Sequence, residues 1–133
     1  MKIIDAILWG WYQILDKTIY LNSQDKDDFG PKEHGFFIAF LLHGLNIYTL
    51  LSYVFIEFWK SNVETYISIT TALIVFLIGY LIYFKRKRMQ KVVAYDISNA
   101  KGILYIVLTI LYSIASVYLM WIMGEHVREV LVG

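Results

Sequence analysis

Two polar side chains lie inside a long apolar stretch of this sequence. Residues 36–51 read FFIAFLLHGLNIYTLL and carry His43 and Asn46 near their middle. Polar groups are costly in hydrocarbon and are often functional where they occur there. An imidazole and a carboxamide three residues apart share one helix surface. There they could hydrogen-bond neighbouring helices, line a pore, or contribute a ligand to a metal.

The residues that metal or catalytic chemistry requires are missing around His43. The three histidines, His34, His43 and His126, have neither the HExxH spacing nor another metal-ligand spacing, and the chain has no cysteine. There is no GxSxG motif and no phosphate-binding glycine loop. No Asp, Glu, Lys or Arg lies deep in an apolar run, so a proton relay lacks its usual residues. We therefore predict a non-enzymatic protein with no catalytic residue, no metal site and no cofactor.

Three long apolar runs must position these side chains. Residues 36–59 contain a single charge, Glu57, close to their end, whereas residues 65–84 and 102–124 contain none. A helix of about 20 residues crosses a hydrocarbon core about 30 Å thick, and each run reaches that length. Backbone groups in hydrocarbon need internal partners, so the runs must be helical. The predicted fold class is an all-α integral membrane protein with three transmembrane helices in a small bundle.

Each predicted span carries small or polar residues along one face. Their spacings of three, four and seven are typical of left-handed helix packing. These seam residues are His43, Asn46 and Thr49 in the first span, Ser68 in the second, and Tyr105, Thr109, Tyr112 and Ser116 in the third. We predict that the seams of the three helices meet. A seam that closes within one chain is structural, whereas a seam that opens onto neighbouring copies lines a pore.

Residues 1–21 predict a different kind of helix. On a helical wheel the polar side chains gather within an arc of about 120°, opposite the apolar ones. The polar residues are Lys2, Asp5, Gln13, Asp16 and Lys17. This pattern predicts an amphipathic helix that lies along the membrane interface. Because its polar face is balanced in charge, docking on the bundle or on a partner is an alternative, and a fourth span is another. A polar linker, residues 22–35, follows.

Basic residues are concentrated in one loop. Six of the twelve Lys and Arg residues lie in residues 85–101, and Lys and Arg in short loops set membrane orientation. We therefore predict that this loop and the N-terminus are cytoplasmic and that the C-terminus is outside. The Ile-, Tyr- and Lys-rich three-span layout fits small bacterial membrane proteins, so we expect a bacterial inner membrane. The residues that anchor this topology, or that also bind anionic lipid headgroups, are Lys85, Arg86, Lys87, Arg88 and Lys91.

Charge and composition limit the partners that we expect. The net charge of +1 argues against general nucleic-acid binding, and 59% of the residues are hydrophobic. The sequence predicts a protein that acts by helix–helix association, as a subunit of a membrane complex or as a self-assembling oligomer. The alternative is a homo-oligomeric pore lined by the seam at His43 and Asn46, as in a toxin or a defence effector.

Overall fold

Every secondary-structure element that the structure describes is a helix. The computed structural model describes residues 2–19, 30–60 and 65–132. The elements are α1 (Ile3–Thr18), α2 (Pro31–Trp59), α3 (Thr65–Tyr80), a π-helical turn (Leu81–Lys85) that continues α3, α4 (Arg88–Val93) and α5 (Asn99–Val132). Residues 22–29 of the predicted linker and residues 61–64 lie outside the described residues.

Three of these helices are long and apolar enough to cross a membrane. They are Pro31–Trp59, Tyr66–Lys85 and Asn99–Val132. At 1.5 Å per residue, the 34 residues of α5 extend over about 51 Å, well beyond a hydrocarbon core about 30 Å thick. The predicted fold class, all-α with three helices of membrane-spanning character, is confirmed.

Helix α2 begins five residues before the apolar run that marks it in the sequence. Pro31 occupies the first helical position, where its missing N–H leaves no bond unmade. The Glu33 carboxylate accepts a hydrogen bond from the Gly30 N–H at 3.0 Å, which stabilises this helix start. The helix ends at Trp59, and the C-cap residue Lys60 has a φ of 48°, in the left-handed region. Local capping thus extends the helix into the part of the linker that looked polar.

Helix α3 packs on α2 through aromatic side chains. Phe36 lies 4.9 Å from Phe84 and 5.4 Å from Phe76, measured between ring centroids. Phe40 fits against Gly79 so closely that a Cβ at residue 79 would lie 2.2 Å from the Phe40 ring. These contacts pair the beginning of α2 with the end of α3, so the two helices are antiparallel.

Helix α5 runs parallel to α2 in a constant register. The side chains of His43 and Tyr112 meet, and further along the side chains of Glu57 and His126 meet; both pairs are separated by 69 residues. An equal offset at two levels, 14 residues apart, is possible only if the helices point the same way. The return of the chain through α3 makes this arrangement possible.

Helix α1 docks on the junction between α2 and α5. Its apolar residues Ile7, Leu8 and Leu15 are buried, as the wheel predicts. Trp9 packs edge-on against Tyr105, with ring centroids 6.2 Å apart. The wheel does not hold at every residue: Ile4, on the apolar side, is 43% exposed, and Asp5, placed on the polar arc, is only 2% exposed. Its burial follows from partners that lie far away in the sequence and that no helical wheel includes.

The basic segment after α3 is not a continuous helix. The helical chain ends at Lys85, Arg86 forms a turn, and Lys87 has a φ of 54°. The short helix α4 then buries Met89 and Val92, which join the same core cluster as Leu8 and Trp9. Because of this break, α4 packs against α1. The basic side chains of the segment therefore do not lie on one continuous helix face.

Candidate functional site

Four of the eight predicted seam residues form one hydrogen-bonded cluster between α2 and α5. Asn46 Nδ2 donates to the Tyr112 hydroxyl at 2.7 Å and to Ser116 Oγ at 2.9 Å. His43 Nδ1 lies 2.5 Å from the same Tyr112 hydroxyl. The Tyr112 hydroxyl thus accepts from Asn46 and shares a second hydrogen bond with His43 Nδ1, whose direction depends on the imidazole tautomer. We call these four side chains the α2–α5 polar cluster.

The other four seam residues have different surroundings. Thr49 donates to the Leu45 carbonyl of its own helix at 2.9 Å. Thr109 is fully buried against Gly10 of α1, and Tyr105 packs on Trp9. Ser68 lines a cavity of about 610 Å³ between α2 and α3. The seams of α2 and α5 therefore meet each other, whereas the α3 seam faces a different side of α2.

A groove opens beside the polar cluster, along the later halves of α2 and α5. Its volume is about 770 Å³, and most of its surface is apolar. Its polar lining consists of Asn46, Thr49, Tyr53, Glu57, Tyr112, Ser116 and His126. Glu57 and His126 pair at 3.2 Å between Oε1 and Nε2, near the end of the groove. We call this surface the α2–α5 groove; the polar cluster is closed at His43 and opens onto the groove at Asn46.

A second polar site ties α1 to the segment that follows α3. Arg88 donates to both oxygens of Asp5, from Nε at 3.1 Å and from the guanidinium NH2 at 2.8 Å. The Tyr83 hydroxyl donates to Asp5 Oδ1 at 2.8 Å. Burial raises the pKa of Asp5, but these hydrogen bonds and the Arg88 charge outweigh it, so the pKa lies below its ordinary value. Asp5 is therefore a buried carboxylate that remains charged at neutral pH.

The five residues predicted as a topology or lipid anchor lie in different environments. Arg88 is committed to Asp5, and Lys87 borders a small cavity beside Glu33. Arg86 and Lys91 line a third cavity, together with Arg88, and Lys85 is exposed. The structure thus gives individual roles to side chains that the sequence presents as one basic run.

Sequence reasoning missed the site at Asp5 and Tyr83. One signal was present: Asp5 is a lone acid within the otherwise apolar stretch IIDAILWGW. An isolated charge on the border of an apolar face indicates a buried pair as readily as an exposed residue. Tyr83 gave no such signal, since tyrosines are frequent in this chain, which has 11 of them.

Replacing Tyr112 by phenylalanine is expected to destabilise the α2–α5 contact by about 1 kcal/mol. The change removes the hydroxyl shared by His43 Nδ1 and Asn46, and the other ring nitrogen of His43, Nε2, has no hydrogen-bond partner within the described residues. Asn46 keeps its bond to Ser116, which limits the loss. Denaturant unfolding in mild detergent measures the effect. Tyr118→Phe, at an exposed position of the same helix, is the control, and an equal effect of both changes would contradict the prediction.

Comparison with known proteins gives no family for this chain: no family model, no curated protein and no solved structure matches it.

Proposed function

We propose that this chain is a non-enzymatic multi-pass membrane protein that acts by helix–helix association, as a subunit of a membrane complex or as a self-assembling oligomer. The observation that supports this proposal most directly is the continuity of the α2–α5 groove with the surface on which α1 docks. On α5, Tyr105 and Thr109 contact α1, and Tyr112 and Ser116 follow on the same helix face and border the groove.

The α2 side of the groove has the same continuity. Gly35 lies against the α1 backbone at Tyr12, and Asn46 and Thr49 follow on the same helix face in the groove. One helix already covers the first part of this surface. A second helix, from another chain, fits the uncovered part because it would pack between α2 and α5, as α1 does on the first part.

The chemistry of the groove favours a protein helix over lipid tails. Lipid tails cannot hydrogen-bond Asn46, Thr49 or Tyr53, whereas a helix with Ser, Thr or Asn side chains can. Such bonds contribute about 0.6 kcal/mol each on average, so close packing in a groove of about 770 Å³ supplies most of the stabilisation.

The pore hypothesis receives less support from the geometry. A pore requires His43 and Asn46 to face a path shared by several copies. In this chain both side chains are bonded to Tyr112 of the neighbouring helix, and His43 is half-buried. The orientation and the host membrane belong to the same proposal: the Lys and Arg distribution favours a cytoplasmic basic loop. The Ile-, Tyr- and Lys-rich three-span layout favours a bacterial inner membrane.

Filling the groove with a bulky side chain is expected to weaken association at least tenfold. Ala115 lines the groove, and Ala115→Trp places an indole where the partner helix would pack. Val117→Trp is the matched control, because Val117 is 50% exposed on the same helix and does not line the groove. The wild type and the two variants are each extracted with their native lipids, and mass measurement gives the stoichiometry and any retained partner.

The masses expected are an oligomer or a complex for the wild type and for Val117→Trp, and a larger monomer fraction for Ala115→Trp. A repeated mass of this chain indicates self-assembly, and an additional mass indicates a different subunit. A wild-type protein that is monomeric and retains no other protein would contradict the proposal. Equal weakening by both tryptophans would contradict the assignment of the groove.

A further inference from the structure

A third cavity lies where the second apolar helix ends, between α1, the π-helical turn and α4. Its volume is about 370 Å³, and polar and apolar atoms contribute equally to its surface. Ile82 and Val92 supply the apolar wall, and Arg86, Lys91 and Tyr95 supply the polar one, with the Asp5–Arg88 pair at its side. We call it the basic cavity.

The charge of the basic cavity comes from two side chains. Arg88 also borders it, but its charge is balanced by Asp5 at 2.8 Å. Within residues 2–19, 30–60 and 65–132, neither Arg86 nor Lys91 makes an ion pair. The cavity therefore holds an excess of two positive charges beside a phenol that can donate a hydrogen bond.

These groups suit a phosphate ester. A guanidinium presents paired N–H donors that match two phosphate oxygens, and an ammonium adds a compact positive charge. The cavity also lies at the level where a phosphate would be found. Arg86 directly follows the candidate span Tyr66–Lys85, so its side chain is at the boundary between hydrocarbon and headgroups.

We propose that the basic cavity binds the phosphate of one anionic phospholipid headgroup, with Arg86 and Lys91 as its ligands and Ile82 and Val92 beside the glycerol end of the lipid. This inference concerns a different surface from the α2–α5 groove and does not depend on whether the chain associates. It also separates Arg86 and Lys91 from Lys85, which is equally basic but does not line the cavity.

Removing the two cavity charges is expected to weaken binding of phosphatidylglycerol about 30-fold, equivalent to about 2 kcal/mol. The variant is Arg86→Gln/Lys91→Gln, and both residues are exposed, so the fold should tolerate the change. The control is Lys85→Gln/Lys101→Gln, which removes two exposed charges from the same loop but outside the cavity. Native mass spectrometry in detergent, with phosphatidylglycerol added, counts the lipids retained by each protein.

One phosphatidylglycerol retained by the wild type and by the control, but lost from the cavity variant, would support the proposal. Equal loss of the lipid from the cavity variant and from the control would overturn it and indicate diffuse electrostatic attraction. Retention of the lipid by both variants would overturn it as well, because neither pair of charges would then be needed for binding. A parallel titration with inorganic phosphate separates the two sources of the ligand. Failure of inorganic phosphate to displace the lipid supports a headgroup site, whereas displacement at comparable concentration overturns the lipid assignment. The protein mass in the same spectra reports association independently.

Discussion

Replacing Arg88 by glutamine is expected to destabilise the docking of α1 by about 3–5 kcal/mol. Among the described residues, the change leaves the Asp5 carboxylate, whose side chain is 3% exposed, with Tyr83 as its one remaining side-chain partner. A buried charge without its counter-charge is far more costly than the pair was favourable. Asp5→Asn should cost less, because the Arg88 side chain is 34% exposed and can be rehydrated.

The docking of α1 can be followed by its own tryptophans. The chain has four tryptophans, and replacing Trp59 and Trp121 by phenylalanine leaves only Trp9 and Trp11, both in α1. Trp9 is 7% exposed when α1 is docked, so quenching of its fluorescence during denaturant titration reports undocking. The double variant Asp5→Asn/Arg88→Gln should cost less than the sum of the single changes, since the charges are removed together. Strict additivity would contradict a direct pair.

The single variant Arg88→Gln is expected to reverse the pH dependence of docking. In the wild type the pKa of Asp5 lies below its ordinary value of about 3.9, so the stabilisation is complete above that pH and is lost as the pH falls through the folded pKa. In Arg88→Gln, burial acts without the opposing charge and raises the pKa of Asp5. Protonation then favours the docked state, so docking strengthens as the pH is lowered from neutral. Weakening by acid in both proteins would contradict this reasoning.

Replacing Gly10 by alanine is expected to destabilise α1 docking by about 1–3 kcal/mol, although glycine to alanine normally stabilises a helix interior by about 1 kcal/mol. A Cβ at residue 10 would lie 2.0 Å from Thr109 Oγ1 and 2.8 Å from Thr109 Cβ. Both helices must then separate, and the Trp9–Tyr105 contact must loosen. The tryptophan-quenching titration measures this change as well.

A matched substitution exists on α5. Gly124→Ala introduces the same methyl group where, within the described part of the chain, no heavy atom lies within 4 Å apart from its chain neighbours and its own helical backbone. It should therefore be neutral or slightly stabilising. Adding Thr109→Gly to Gly10→Ala removes the side chain that the new methyl group meets and should restore part of the docking. If Gly10→Ala behaved like Gly124→Ala, the close approach of α1 and α5 at this position would be wrong.

The polar seam illustrates what helical periodicity can predict. Spacings of three and four residues place His43 with Asn46 on one face of α2, and Tyr112 with Ser116 on one face of α5, because both depend only on 3.6 residues per turn. The pairing of these two faces with each other, at an offset of 69 residues, depends on the rotation and register of each helix in the bundle. Ser68 shows the limit, since its face is equally regular yet meets a different side of α2.

The sequence alone determined that this chain is all-α and that three of its helices can cross a membrane, because length and apolar composition are properties of each segment by itself. It also determined where basic charge accumulates. Only the tertiary structure decided that Asp5 is buried, since its partners Tyr83 and Arg88 lie 78 and 83 residues further along. The same holds for Gly10, which permits α1 to approach α5 at Thr109. Such contacts depend on how several helices fit together, and no single stretch of sequence contains that information.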